Sequence, residues 1–274
     1  MVEVILLLKA AFLGIVEGIT EFLPISSTGH MILVDHYVKL SNNHSFTTAF
    51  EVIIQLGAIL SVVVYFWNKL WPFSGTRTER TETWQIWFKV LVAVLPAIVI
   101  GLKFDDLIEE KLFNATTVSI ALIFYGIILI LIEIYNKKKN SFAITNVRNI
   151  GYDKAFMIGI FQCLAMVPGT SRSASTIIGG ILLGLNRAVA AEFSFFLAIP
   201  TMMGATLLKI IKEGFSFSVI EWISIACGFV VSFVVAFAVI KLFMEYIKTK
   251  DFKIFGYYRI GLGIVILWLL FFNH

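Results

Sequence analysis

The sequence predicts an all-α polytopic membrane protein, with six transmembrane helices plus two re-entrant helix hairpins in an inverted-topology repeat. Composition is the first reason: of 274 residues, 59% are hydrophobic and 15% charged, with a mean hydropathy of +0.90. A soluble domain carries about 25% charge. Length is the second, because six apolar stretches reach the roughly 18 to 20 residues that cross a bilayer. The third is a pair of further apolar stretches, each broken in its middle by a proline and a run of small polar residues.

The expected spans, in order, are 47–67, 84–102, 116–135, 191–211, 219–240 and 255–272. The broken stretches are about 5–34 and 155–185, interrupted at Pro24 and Pro168. Proline removes a helical donor and clashes with the preceding turn. The Ser and Gly residues that follow suit a turn and a new helix start. Such a break at membrane depth requires packing in protein or a wet cavity. Pro96 and Pro200 are expected to mark kinks inside spans.

The two broken segments resemble each other. "GIVEGITEFLPISSTGH" aligns with "GIFQCLAMVPGTSRSAS" with one residue of slippage, and Leu56-Gly57-Ala58 aligns with Met203-Gly204-Ala205. The chain therefore reads as one integral membrane domain, residues 1–274, with repeat one about 1–136 and repeat two about 152–274. A hairpin returns to its own side, so three following spans leave the second copy upside down. The shared site of such a repeat lies near the membrane midplane.

Loop charge sets the expected orientation. One side receives thirteen basic residues, including Lys69, Arg77, Arg80, Lys137, Lys138, Lys139, Arg148, Lys154 and Arg187; the other receives six. The richer side is expected to be cytoplasmic, which puts both termini and the mouth of the first hairpin outside. No basic n-region or small-residue cleavage motif indicates a signal peptide. The formal charge of +4 does not point to nucleic acid. Cys163 and Cys227 lie far apart in apolar context and read as small buried hydrophobes.

Glu17 and Glu21 stand one helical turn apart, so their carboxylates share a face. In low dielectric they must share a proton, bind a cation, or meet an arginine. After Pro24 come Ser26, Ser27, Thr28 and His30. A helix starting there aims N–H groups and its positive dipole end at one point, an anion site. Its hydroxyls add donors, a nucleophile or ordinary caps, and His30 adds an acid, a base or a nucleophile. The second hairpin supplies "PGTSRSAST", in which Arg172 is the only Lys or Arg between Lys154 and Arg187. Thr170, Ser171 and Ser173 surround a guanidinium suited to gripping phosphate, or to a salt bridge with Glu17 or Glu21. Gln162 reads as a structural hydrogen-bonder. Glu51 and Gln55, with Glu192, Ser194 and Thr201, are expected either to line a cavity or to bond between helices. His36 and His44 have no evident partner. Acids able to hold a divalent metal beside an anion cradle suit phosphoryl transfer, and the lipid setting suggests a lipid carrying phosphate at its head. The same architecture suits a transporter of an anion or lipid phosphate.

At "EGITEFLPISSTGH" and "PGTSRSAST" the sequence closely resembles the bacterial undecaprenyl-diphosphate phosphatase family of the bacitracin-resistance type. The likeness extends through "FEVIIQLGAILSVVVYFW" and "AEFSFFLAIPTMMGAT". It implies an inner-membrane enzyme that hydrolyses undecaprenyl diphosphate to the monophosphate, recycling the lipid carrier of cell-wall synthesis and conferring bacitracin resistance. It also implies a divalent cation, Mg2+ or Ca2+, held by Glu17 and Glu21. The family's catalytic motifs fall on Glu17, Glu21, Ser27, His30 and Arg172, with Ser26, Thr28, Thr170, Ser171 and Ser173 around the substrate. In the preferred scheme Ser27 attacks phosphorus, Glu21 takes its proton directly or through His30, and Arg172 clamps the diphosphate. His30 as nucleophile and a cation-activated water remain as alternatives. Gly57, Gly204 and Gly228 suit close packing within one chain or in a homodimer.

Overall fold

The computed structural model describes residues 2–35, 37–139, 143–213 and 217–272. His36 lies outside the described residues, and of Lys137, Lys138 and Lys139 only the backbone is described. Helix α1 spans Val2–Thr20, and after a break α2 spans Ser27–Asp35. Helix α3 (His44–Tyr65) leads through a single turn, α4 (Trp67–Leu70), to α5 (Arg77–Leu112) and α6 (Ala115–Lys139). A 3-10 turn at Val147–Asn149 precedes α7 (Tyr152–Cys163), whose end tightens into a second 3-10 turn, Leu164–Met166. After the second break come α8 (Arg172–Leu182), α9 (Arg187–Glu213), α10 (Val219–Thr249) and α11 (Lys253–Phe272).

Among the described residues, six helices are long and apolar enough to cross a membrane: α3, α5, α6, α9, α10 and α11. They are the six expected. Two run well beyond their expected bounds, because a helix does not stop where hydrocarbon does. At its start α5 carries a capping box, with the Thr76 hydroxyl accepting from the Glu79 N–H and the Glu79 carboxylate accepting from the Thr76 N–H. That pairing satisfies donors that the first turn leaves open and lets polar residues 77–83 stay helical. Helices α5 and α9 both continue through their prolines, Pro96 and Pro200.

In each broken segment the two arms pack on each other, α1 with α2 and α7 with α8. With nine and eleven residues, α2 and α8 rise only about 14 and 17 Å at 1.5 Å per residue, far short of a bilayer. The helix pairings form a pattern with its own symmetry. Exchanging α1, α2, α3, α5 and α6 for α7, α8, α9, α10 and α11 turns α1–α10 packing into α7–α5 packing, and α3–α10 into α9–α5. The α6–α11 and α3–α9 pairs map onto themselves.

Small residues make these approaches possible, as expected where lipid supplies no hydrophobic drive between helices. A Cβ on Gly14 would sit 2.6 Å from the Gly228 carbonyl oxygen, and one on Gly126 would sit 2.8 Å from that of Gly256. Gly57 packs on the Phe229 carbonyl and Gly228 on the ring of Phe50, so both are used within the chain, whereas Gly204 faces open space. Cys163 and Cys227 are free and half-buried rather than fully buried.

Polar pairs tie the helix ends at the lysine- and arginine-rich face. Glu133 of α6, 1% exposed, accepts from Arg187 Nε at 2.9 and 3.2 Å and from the Phe252 N–H at 3.2 Å. Glu192 pairs with Lys69 at 2.8 Å beside a cavity of roughly 200 Å³ that Asn146 and Arg148 also line. Glu192 therefore serves this face and not the site between the hairpins.

Candidate active site

The breaks in the two hairpins meet, and each is built the same way. Ser26 and Ser171 both have φ = +74°, a left-handed backbone that residues with a Cβ rarely adopt. Each turns the chain sharply into a new helix and caps it. The Ser26 hydroxyl accepts from the Gly29 N–H at 3.3 Å, and the Ser171 hydroxyl accepts from the Ala174 N–H at 3.3 Å. These bonds use one hydroxyl per helix for ordinary capping and leave the next residue, Ser27 or Arg172, at the first helical position. Glu17 and Gln162 each stand nine residues ahead of those serines. They are thus equivalent without offset, and the one-residue slip falls at the prolines.

Between the breaks, Glu21 is the centre. Its side chain is 5% exposed and that of Arg172 is 12% exposed. The Ser27 hydroxyl donates to Glu21 Oε2 at 2.9 Å, and Arg172 Nη2 donates to Glu21 Oε1 at 3.0 Å. Serine and acid from one hairpin therefore meet the guanidinium of the other through a single carboxylate. The anticipated salt bridge is present, and it falls on Glu21. Arg172 is held further by Ser194, donating from Nη1 to its carbonyl at 2.9 Å, and its guanidinium lies 5.9 Å from the ring centroid of Phe22. Ser194 also accepts a bond from the Thr176 hydroxyl at 2.7 Å, which fixes α9 to α8.

The remaining hydroxyls divide by role. Ser173 donates to the Leu23 carbonyl at 2.9 Å and lies 3.0 Å from the Ser171 hydroxyl, so it stitches the second hairpin to the first. Thr170 is buried and contributes its backbone carbonyl. Thr28 sits half-buried in the first turn of α2. His30 is committed elsewhere: Nδ1 lies 2.7 Å from the Ser26 carbonyl oxygen, and Nε2 lies 2.7 Å from the Tyr258 hydroxyl. A carbonyl only accepts, so Nδ1 carries the proton, and a neutral ring then accepts from Tyr258 at Nε2. Ser27 reaches Glu21 without a histidine between them.

Two charged side chains at this centre each keep an atom without a hydrogen-bond partner. Glu17 is 1% exposed, and its Oε1 has no hydrogen-bond partner; Arg172 Nε is likewise buried and unpaired. Glu17 also meets the Glu21 side chain directly, so the two carboxyls can share a proton or hold a cation, while the open Arg172 donor suits an anion. Among the described residues no cluster of three His, Cys, Asp or Glu side chains stands ready for a metal. A magnesium-type ion needs fewer, since one or two carboxylates and substrate phosphate oxygens suffice. Glu17 with Glu21 fits that pattern.

Of the residues the sequence pointed to, Glu21, Ser27, Arg172, Ser171 and Ser173 converge here, with Glu17 alongside. Thr201 donates to Gln162 Oε1 at 3.4 Å, a contact between α9 and α7. Glu51 of α3 lies within electrostatic reach of Glu17. Three contributors were missed or underrated: Ser194, Tyr258 and Arg259. The last is a fully buried arginine inside an apolar span, and a lone charge in "FGYYRIGLG" was signal enough.

Residues 10–265 match the family described as bacitracin resistance protein BacA. The chain belongs to that family. It is also 56% identical over 261 residues to undecaprenyl-diphosphatase 1 of Clostridioides difficile (strain 630), covering 94% of each chain. Undecaprenyl-diphosphatase of Acetivibrio thermocellus is 53% identical over 262 residues, 95% of this chain and 96% of the relative. That of Enterococcus faecalis is 50% identical over 265 residues, again 95% and 96%. Members of this family are polytopic membrane proteins, in keeping with the six long apolar helices.

Proposed function

We propose that the chain hydrolyses undecaprenyl diphosphate to undecaprenyl phosphate and inorganic phosphate, recycling the lipid carrier for peptidoglycan synthesis and conferring bacitracin resistance. The observation that carries this reading is the Ser27–Glu21–Arg172 contact across the two hairpins, in a chain whose relatives are each named as a diphosphatase. The relatives do not favour the transport alternative.

In the mechanism, Arg172 leaves Glu21 to grip the diphosphate oxygens, a fork suited to two-point contact with phosphate. The open Nε gives it a donor not already spent. Ser27 attacks the terminal phosphorus while Glu21 Oε2, already 2.9 Å away, takes the hydroxyl proton. The bond to the bridging oxygen breaks and the lipid monophosphate departs. Water then cleaves the serine phosphate and regenerates Ser27. Ser26, Thr28, Thr170, Ser171 and Ser173 shape and hold the cradle. Glu17 and Glu21 would hold Mg2+ or Ca2+, which when bound neutralises phosphate charge. His30, tied to Ser26 and Tyr258, orders the first turn of α2 in this scheme.

The same reading takes the hairpins as re-entrant, the halves as oppositely oriented, and the membrane as the bacterial inner membrane, with the site open to the external face. A reporter fused after residue 274 that proved cytoplasmic would contradict this orientation. A homodimer rests here on Gly204 alone, which faces open space; native mass spectrometry from lipid particles decides it. For the activity itself, purified protein is supplied with undecaprenyl diphosphate, with and without chelator. Phosphate release that disappears with chelator and in Glu21→Ala and Arg172→Ala supports the reading. Lipid flux in proteoliposomes without phosphate release contradicts it.

A further inference from the structure

Arg259 projects from α11 into the junction of the two hairpins, and it is 0% exposed. No carboxylate pairs with it among the described residues. Four backbone carbonyls take its donors instead: Nε to Leu122 at 3.4 Å, Nη1 to Pro24 at 3.2 Å, and Nη2 to Gly169 and Thr170 at 2.9 Å each. Burying a charge with no counter-charge is costly, and salt bridges elsewhere in this chain avoid it. A residue that only filled space would not need to be arginine.

The identity of the carbonyls explains the choice. Pro24 precedes Ser27 by three residues, and Gly169 and Thr170 immediately precede Ser171 and Arg172. Both breaks thus hang from one rigid, planar group. The setting is tight: Gly169 has φ = +89°, and a Cβ there would come within 2.5 Å of the Val118 carbonyl oxygen of α6. Helix α11 in turn is seated on α6 through Gly126 and Gly256, which delivers the guanidinium to a fixed depth. The adjoining Tyr258 reaches the first hairpin independently through His30.

We propose that Arg259 is the positioning residue of the reaction, a clamp that sets the distance between the nucleophile-bearing break of the first hairpin and the phosphate-gripping break of the second. The assignment rests on the proposed roles of Ser27, Glu21 and Arg172. A lysine keeps the charge, but the three donors on its one nitrogen cannot serve all four carbonyls that the guanidinium engages. The clamp therefore separates from mere charge or bulk in Arg259→Lys and Arg259→Met.

The test is steady-state hydrolysis of undecaprenyl diphosphate by both variants, with thermal unfolding of each in detergent. Glu21→Ala and Arg172→Ala run alongside to check the underlying site: if those two remain active, the site assignment fails, and the clamp with it. With the controls inactive, the clamp predicts kcat lowered about 100-fold in Arg259→Lys, the size of effect a displacement near 1 Å produces. KM stays within about threefold and the melting temperature is held. Wild-type kcat in Arg259→Lys overturns the proposal. So does a kcat loss that merely tracks a falling melting temperature, or failure of both variants to fold, since each outcome assigns Arg259 to architecture alone.

Discussion

Replacing Glu21 with glutamine keeps the side chain's shape and removes its ability to take a proton. In the structure Oε2 accepts from Ser27 at 2.9 Å and Oε1 from Arg172 at 3.0 Å. An amide fills only one of those positions with an acceptor. Its NH2 group faces either the hydroxyl, which can turn to accept, or the guanidinium, which cannot. Arg172 keeps its bond to the Ser194 carbonyl, so the second hairpin retains an anchor and the fold is expected to persist. What disappears is general-base assistance, worth about 100- to 10,000-fold, together with one of the two carboxylates that would hold the cation. A thousandfold loss corresponds to about 4 kcal/mol at 1.36 kcal/mol per decade. The assay is phosphate release from undecaprenyl diphosphate in detergent, read as kcat/KM with thermal unfolding measured in parallel. Glu21→Gln with kcat/KM within tenfold of the parent would refute Glu21 as the base for Ser27.

Other outcomes follow from the same contacts. Ser27→Ala should lose turnover and any acid-stable phosphate on the chain, whereas wild-type protein quenched in acid during turnover should carry phosphate on the peptide containing Ser27; phosphate on the His30 peptide that survives an alkaline quench but not an acid one would replace the nucleophile. Glu133→Gln should lower stability by about 3 kcal/mol, the low end for breaking a buried pair because the Arg187 side chain is 26% exposed; thermal unfolding measures it, and KM should not move. Gly57→Leu puts a side chain into the Phe229 carbonyl of α10, and overpacking should cost about 3 kcal/mol in the same unfolding experiment.

Much of this architecture was legible because membrane physics leaves few choices. Six apolar stretches had to be helices, and Pro24 and Pro168 break theirs where Pro96 and Pro200 do not, because a run of Ser, Thr and Gly follows each of the first two and turns and caps a new helix. The paired acids and Arg172 stood out because ionisable groups in such segments need partners. The extent of α5 was less legible: a capping box at Thr76 and Glu79 carries the helix past the apolar window that marks a span. Arg259 is visible in the sequence as a lone charge in an apolar span, but its role is not, because its partners are carbonyls, which no sequence displays. Ser194 was legible only as a polar residue of α9; its bond to Arg172 depends on how α8 and α9 pack. His30 carried a chemical expectation that its geometry redirects, since both ring nitrogens are engaged by Ser26 and Tyr258.

The most direct test of a single site assembled from two hairpins is a double-mutant cycle on kcat/KM, using Glu21→Gln, Arg172→Lys and the combined variant. Residues that act as a unit are strongly non-additive, so the combined variant should be scarcely slower than the slower of the two single variants. Losses that multiply in full, as for groups working at separate places, would contradict the account.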